Sequence, residues 1–265
     1  MNVEKLAVFI FLIIGLSTEA QVLIGPVVGP QVSWVSFDDK INAKRYKQNP
    51  VFGYHAGADI SFRVRKRFFL HTAFLYSRKG KFLEGKEDKL FSNKATYHFI
   101  DVPLAYTAEF ITKTGGGKQF KWYLGLGPNV SYLLNAKGIL KTSTLNEILI
   151  DHIDYKIVYD KEVASANDNE MVVNQPNRLQ LGLNISAGVV FEPIQYQKVM
   201  VTLRYEAGHS FYSREGTGVV AKATDYVDDL KVRNQGFRLS IAYLMDLKTE
   251  DRKKGKSTIK KRNMK

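Results

Sequence analysis

The segment from Leu179 to Phe191 constrains this chain most. One parity reads Leu179, Leu181, Leu183, Ile185, Ala187, Val189, Phe191, and the other reads Gln180, Gly182, Asn184, Ser186, Gly188, Val190. Successive side chains of a strand point to opposite faces, so one face of this strand requires hydrocarbon and the other accepts polar partners. The pattern recurs in about eight segments, at residues 22–35, 52–64, 68–79, 96–110, 120–134, 179–191, 198–211 and 235–245. The apolar parity carries Phe, Tyr, Trp and Leu, whereas Asp, Glu, Arg and Gly fall on the other. A soluble barrel has the opposite polarity. The alternation therefore predicts an all-β fold, an antiparallel transmembrane β-barrel of about eight strands.

The connections support this. Those at 36–50, 80–94, 137–176 and 212–233 are long and polar, and the three between them are short. Long extracellular loops alternating with short periplasmic turns are a signature of outer-membrane barrels, and an even strand count puts both termini in the periplasm. Residues 137–176 form the longest connection, and apolar positions between Ile148 and Val158 predict a small hairpin or helix within it.

Residues 1–20 read as a secretory leader, with Lys5, an apolar run from Leu6 to Leu16, and Thr18-Glu19-Ala20 as a small-residue cleavage site. The run is too short to span a bilayer as a mature helix. Residues 21–247 are assigned to the barrel and 248–265 to a basic, disordered periplasmic tail. The net charge of +13 is concentrated in that tail. Export makes nucleic-acid binding a poor reading of it, and a docking arm for an envelope protein is the alternative to a solvated extension. The absence of cysteine excludes disulfides, a lipoprotein anchor and thiolate metal sites.

Several segments resemble the PorT-like outer-membrane β-barrel family of Bacteroidota. They are Gly53-Tyr54-His55-Ala56-Gly57, Leu75-Tyr76-Ser77-Arg78-Lys79-Gly80, Ile100-Asp101-Val102-Pro103-Leu104, Leu126-Gly127-Pro128-Asn129-Val130-Ser131-Tyr132-Leu133-Leu134 and Val201-Thr202-Leu203-Arg204-Tyr205. They occur in the family's order and cover the whole barrel. Ala73 stands where relatives often have Glu, and Leu244-Met245 is followed by the basic tail where relatives commonly end on an aromatic. The resemblance implies no catalytic residues and no cofactor. Some relatives serve type IX secretion and gliding, which makes a link to that machinery an expectation here.

The candidate functional residues are the inward charges Asp59, Arg63, Asp101, Glu109, Lys121, Arg204, Glu206 and Arg238. Eight strands enclose a lumen just wide enough for side chains, so these charges must pair, and a polar plug is expected. Arg204, Glu206, Arg238 and Asp101 are expected to share one network. His209-Ser210 invites a hydrolase reading, but adjacent strand residues face opposite sides. Gly115-Gly116-Gly117-Lys118 lacks the spacing of a phosphate-binding loop. Asp151, Asp154, Asp160, Asp168 and Glu170 do not match a calcium-loop spacing. No catalytic, cofactor or metal site is predicted. The favoured function is a non-enzymatic structural or interaction barrel contacting outer-membrane lipid, with a small pore or transporter as the alternative and a lipid-modifying enzyme third.

Overall fold

The computed structural model describes residues 22–113, 119–193, 197–220 and 226–247. The leader, the basic tail and the triple-glycine turn lie outside them. The described chain forms β1 (Val22–Phe37), α1 (Lys40–Arg45), β2 (Tyr46–Asn49), β3 (Val51–Arg65), β4 (Phe68–Gly85), β5 (Ser92–Lys113), β6 (Gln119–Lys141), α2 (Ser143–Glu147), β7 (Ile153–Tyr159), β8 (Glu170–Val173), β9 (Leu179–Phe191), β10 (Gln197–Phe211), β11 (Thr217–Val220), β12 (Val227–Asp229) and β13 (Val232–Asp246).

Eight long strands close into a ring. In order around it they are β1, β3, β4, β5, β6, β9, β10 and β13, each antiparallel to its neighbours, with β13 returning to β1. These are the eight segments that the alternation marks, and closure leaves the staves no unpaired edge. The outer wall is apolar where the alternation placed it: Phe52 is 77% exposed, Leu183 60% and Leu126 58%. A soluble protein would bury such residues; around a closed ring they make a belt for hydrocarbon. Among the described residues no helix is long and apolar enough to cross a membrane.

Aromatic girdles flank the belt. Near the short turns, Phe68 stacks on Tyr106 at 5.6 Å and Phe110 on Trp122 at 4.5 Å. Toward the long connections stand Tyr54 and Tyr76, with Tyr76 Oη 2.5 Å from His98 Nδ1, and Trp34, Phe237 and Tyr205 packed together.

The long connections depart from their reading as loops. β4, β5 and β6 continue well past the belt and recruit short strands. β2 pairs with the end of β4, β7 with the end of β6, β8 runs parallel to β7, and β11 and β12 complete the sheet. The result is a folded extension with its own core, which includes Leu83, Phe91, Tyr97, Phe99, Leu140, Tyr155, Met171, Tyr212 and Leu230. The alternation persists here, but the outward positions are mostly Lys, Glu and Asn, with Phe82 and Ile139 among the apolar exceptions, so the segments read as polar loops. The apolar stretch in the longest connection resolves into the turn that follows α2 and strand β7.

Candidate functional site

The lumen is stacked in tiers of side chains, which the inward parity of the staves supplies. Nearest the short turns is a charged rim. Lys121 Nζ lies 2.6 Å from Glu192 Oε2, and Lys198 Nζ lies 3.6 Å from both Glu109 and Glu192. Arg63 pairs directly with the lumen residue Phe69 and so keeps the inward parity, but at this open end its side chain is exposed. Its guanidinium donates to the Lys66 carbonyl at 3.2 Å and lies over the Phe69 ring. The pairing shifts only beyond it, between Arg63 and Arg65, as β3 approaches its turn.

The next tier is largely apolar, with Leu23, Val27, Leu75, Tyr123, Met200, Ala242 and Leu244 in contact. It surrounds a cavity of about 10 Å³, room for about one water. Asp59, His71 and Arg204 line that cavity, with His71 Nδ1 3.9 Å from Asp59. Among the described residues no carboxylate lies within 4.0 Å of Arg204, so the expected four-residue network does not include it. The physical reason is register. Arg204 and Arg238 are directly opposed on β10 and β13, and two cations at one level diverge.

Above this tier four charges interlock. The Lys79 ammonium donates to Asp101 Oδ1 at 3.1 Å and to Glu206 Oε1 at 2.6 Å. Arg238 Nη2 donates to Glu206 Oε2 at 2.5 Å and also to Asp101 Oδ2. Asn129 adds a donor to Glu206 at 3.1 Å, and Lys79 stands over the Phe99 ring. All four charged side chains are buried. Two cations and two carboxylates balance, and each cation touches both carboxylates. Burial of these ions requires such pairing, because an isolated charge loses several kcal/mol of hydration. The ring order puts β4 opposite β10 and β5 opposite β13, so the cluster ties two diameters of the barrel.

Lys79 is the member that sequence reasoning missed. It closes a predicted strand, yet its parity matches Leu75 and Ser77, and that parity was the available signal. Lys81, two residues on, pairs with Asp228, and both are 0% exposed. Tyr226 donates to Asp228 at 2.9 Å, Asn93 to Tyr226 at 3.2 Å, and Tyr155 to Asn93 at 2.6 Å. This chain of polar contacts fixes the extension to the barrel wall. Burial and the Asp228 charge push the Tyr155 and Tyr226 hydroxyls above their usual range.

His55 Nε2 lies 2.8 Å from Ser240 Oγ, although β1 runs between their strands. Gly29 stands at the intervening inward position, where a Cβ would meet the Leu239 carbonyl, so the imidazole crosses over bare backbone. Both side chains are buried in the lumen, and no described cavity brings a substrate to them. His209 and Ser210 do not form a site; Ser210 Oγ accepts from the Leu181 amide.

The acidic residues of the longest connection are not gathered. Asp151 takes Lys141 and His152, Asp160 accepts from the Gln175 amide, and Glu170 takes Lys161 and Asn167. Lys161 and the Asn167 amide hold the Glu170 carboxyl down to about 2. Among the described residues no cluster of three or more potential ligands could hold a metal ion.

A closed ring with a belt of exposed aliphatic residues, two aromatic girdles and a packed polar lumen defines an eight-stranded outer-membrane β-barrel. The chain belongs to the outer membrane protein β-barrel domain family, whose model matches residues 17–208. No curated protein matches the chain. Similar solved structures include neisserial surface protein A, 12% identical, covering 86% of this chain and 99% of that one with a TM-score of 0.37. OprG from Pseudomonas aeruginosa is 12% identical over 86% of this chain and 95% of its own, with a TM-score of 0.42. Ail of Yersinia pestis, solved with the heparin analogue sucrose octasulfate, is 14% identical over 85% and 99%, with a TM-score of 0.35.

Proposed function

We propose that this protein is a non-conducting, non-enzymatic barrel that serves the cell envelope as a structural and interaction component, presenting its folded extension at the outer surface. The observation that carries the reading is the four-charge cluster of Lys79, Asp101, Glu206 and Arg238 beneath the apolar core of the extension. Side chains fill the lumen at both levels, which favours a plug over a path. The long connections are ordered sheet with a buried core, a suitable rigid platform for recognition. Outer-membrane insertion with both termini periplasmic then places residues 248–265, rich in Lys and Arg, where an envelope protein with an acidic surface would meet them. The resemblance to PorT-like barrels supports a partner in the secretion or gliding apparatus.

Single-channel recording on the full chain in a planar bilayer tests the closed lumen, with no unitary current expected. Steady ohmic conductance would establish the pore reading instead. Co-purification from native membranes, with and without residues 248–265, tests the docking arm; an unchanged set of partners after deletion would overturn it.

A further inference from the structure

Just beyond the upper aromatic girdle, on the outside of the wall, lies a groove of about 450 Å³ formed where β4, β5, β6 and β7 run side by side. Four cations line it: Arg78, Lys94, Lys137 and Lys156. Asp154 is the single carboxylate among its lining residues. None of the four cations has a carboxylate within 4.0 Å among the described residues, unlike the paired lysines of the lumen and rim. Their shared position is not a simple consequence of parity. Between His98 and Phe99 the pairing of β5 with β6 shifts, because Leu134 is an extra residue on β6. That bulge reverses the facing of β6 beyond it. Ala136 and Leu140 turn into the core, and Lys137 and Ile139 turn outward beside Lys94 and Lys156.

The height of the groove selects its ligand. Arg78 is the first outward residue after the girdle residue Tyr76 on β4, and Lys137 follows the belt residue Leu134 by three positions on β6. A strand rises about 3.3 Å per residue, and a headgroup layer occupies about 5–8 Å outside the hydrocarbon core. The cations therefore stand at headgroup level. The Lys94 ammonium stands 5.8 Å from the centre of the Phe82 ring, and Arg78, Lys137 and Lys156 join it in lining the groove without a paired carboxylate among the described residues. Ile139, half-exposed in the groove, continues the apolar wall upward from Leu134.

We propose that this groove is a binding site for the phosphate groups of a net-anionic lipid headgroup of the surrounding leaflet, as distinct from the zwitterionic headgroup of phosphatidylcholine. The site rests on membrane insertion with the extension at the outer surface, as in the function proposed above, and neither the closed lumen nor a protein partner enters into it. Clustered unpaired cations at the membrane surface each add measurable attraction for anionic lipid, and a groove that gathers them converts this into a located contact. The probe is lipid A, a phosphorylated glycolipid, presented in phosphatidylcholine nanodiscs with the full chain; dephosphorylated lipid A and inorganic phosphate are the comparison arms.

Intact-complex mass spectrometry should find lipid A retained on the wild-type protein, with the dephosphorylated form retained far less. Lys137→Gln with Lys156→Gln should weaken retention about thirtyfold, whereas Lys137→Arg with Lys156→Arg should preserve it. Lys44→Gln with Lys86→Gln, which removes two charges outside the groove, should leave it unchanged. Heat-modifiable gel mobility reports separately that each variant is inserted. Equal retention of the dephosphorylated lipid, or equal loss in the Lys44 and Lys86 variant, would overturn the proposal. Displacement of lipid A by an equimolar amount of inorganic phosphate would also overturn it, by making the groove a site for a soluble anion.

Discussion

Lys79 and Glu206 stand on diametrically opposed staves, and their side chains meet at 2.6 Å across the lumen. Asp101 and Arg238 repeat the relationship on the neighbouring pair of staves. A barrel of eight strands is narrow enough for such spans. The four residues therefore act as crossed ties that hold the ring in section.

Lys79→Ala should cost about 3–5 kcal/mol, because it leaves two buried carboxylates sharing one guanidinium. Lys79→Met combined with Glu206→Gln removes one charge of each sign and should recover much of that loss. Reversible unfolding in detergent, followed by heat-modifiable mobility, measures both. Lys79→Met alone keeps the stem's volume but leaves the same carboxylates unpaired; if it were as stable as the double variant, the loss in Lys79→Ala would be one of packing and not of charge.

Arg204 should behave differently from its neighbours. It is buried beside the small cavity without an ion pair within 4.0 Å, and Arg238 opposes it. Arg204→Met keeps most of the stem's volume and removes a charge that gains little from its surroundings. Its cost should be smaller than that of Lys79→Ala by at least about 2 kcal/mol, in the same unfolding measurement. A loss as large as that of Lys79→Ala would make Arg204 a full member of the charged cluster.

Asp228→Ala should loosen the extension and spare the barrel. Lys81 would be left as a buried cation without its carboxylate, a defect worth about 3–5 kcal/mol, and Tyr226 would lose its acceptor. Amide exchange should quicken in β11 and β12 while the paired staves β9 and β10 keep their protection. Uniform acceleration in both regions would mean that extension and barrel unfold together.

The hydroxyls of Tyr155 and Tyr226 resist ionisation because burial beside Asp228 disfavours phenolate. Their folded values lie above the unfolded one, so the stability they contribute is complete below about pH 10 and is lost as pH rises toward the folded values. Alkaline titration followed by phenolate absorbance should show exposed tyrosines ionising first, with Tyr155 and Tyr226 following in a later step that accompanies loss of the extension. Tyr155→Phe should reduce the amplitude of that later step. Early, reversible ionisation of Tyr155 would contradict its burial.

The alternation of residues by itself determined the barrel. Period two, an apolar parity carrying aromatics and a polar parity carrying charges specify eight staves, their facing and a membrane around them, because every residue's face follows from local strand geometry. Asp101, Glu206 and Arg238 were legible as inward charges for the same reason. Partnership was not legible. Which charges meet across a lumen depends on the relative height of opposed staves, set by the registry of every pair around the ring. Lys79 joins the cluster and Arg204 does not, although parity gives both the same standing. The extension was hidden because its outward residues are polar, so its alternation separates polar from apolar where a loop was expected. The bulge at Leu134 carries no sequence signature, yet it decides that Lys137 faces the membrane surface and not the core. Local chemistry thus fixed the faces, and long-range pairing fixed the heights and the partners.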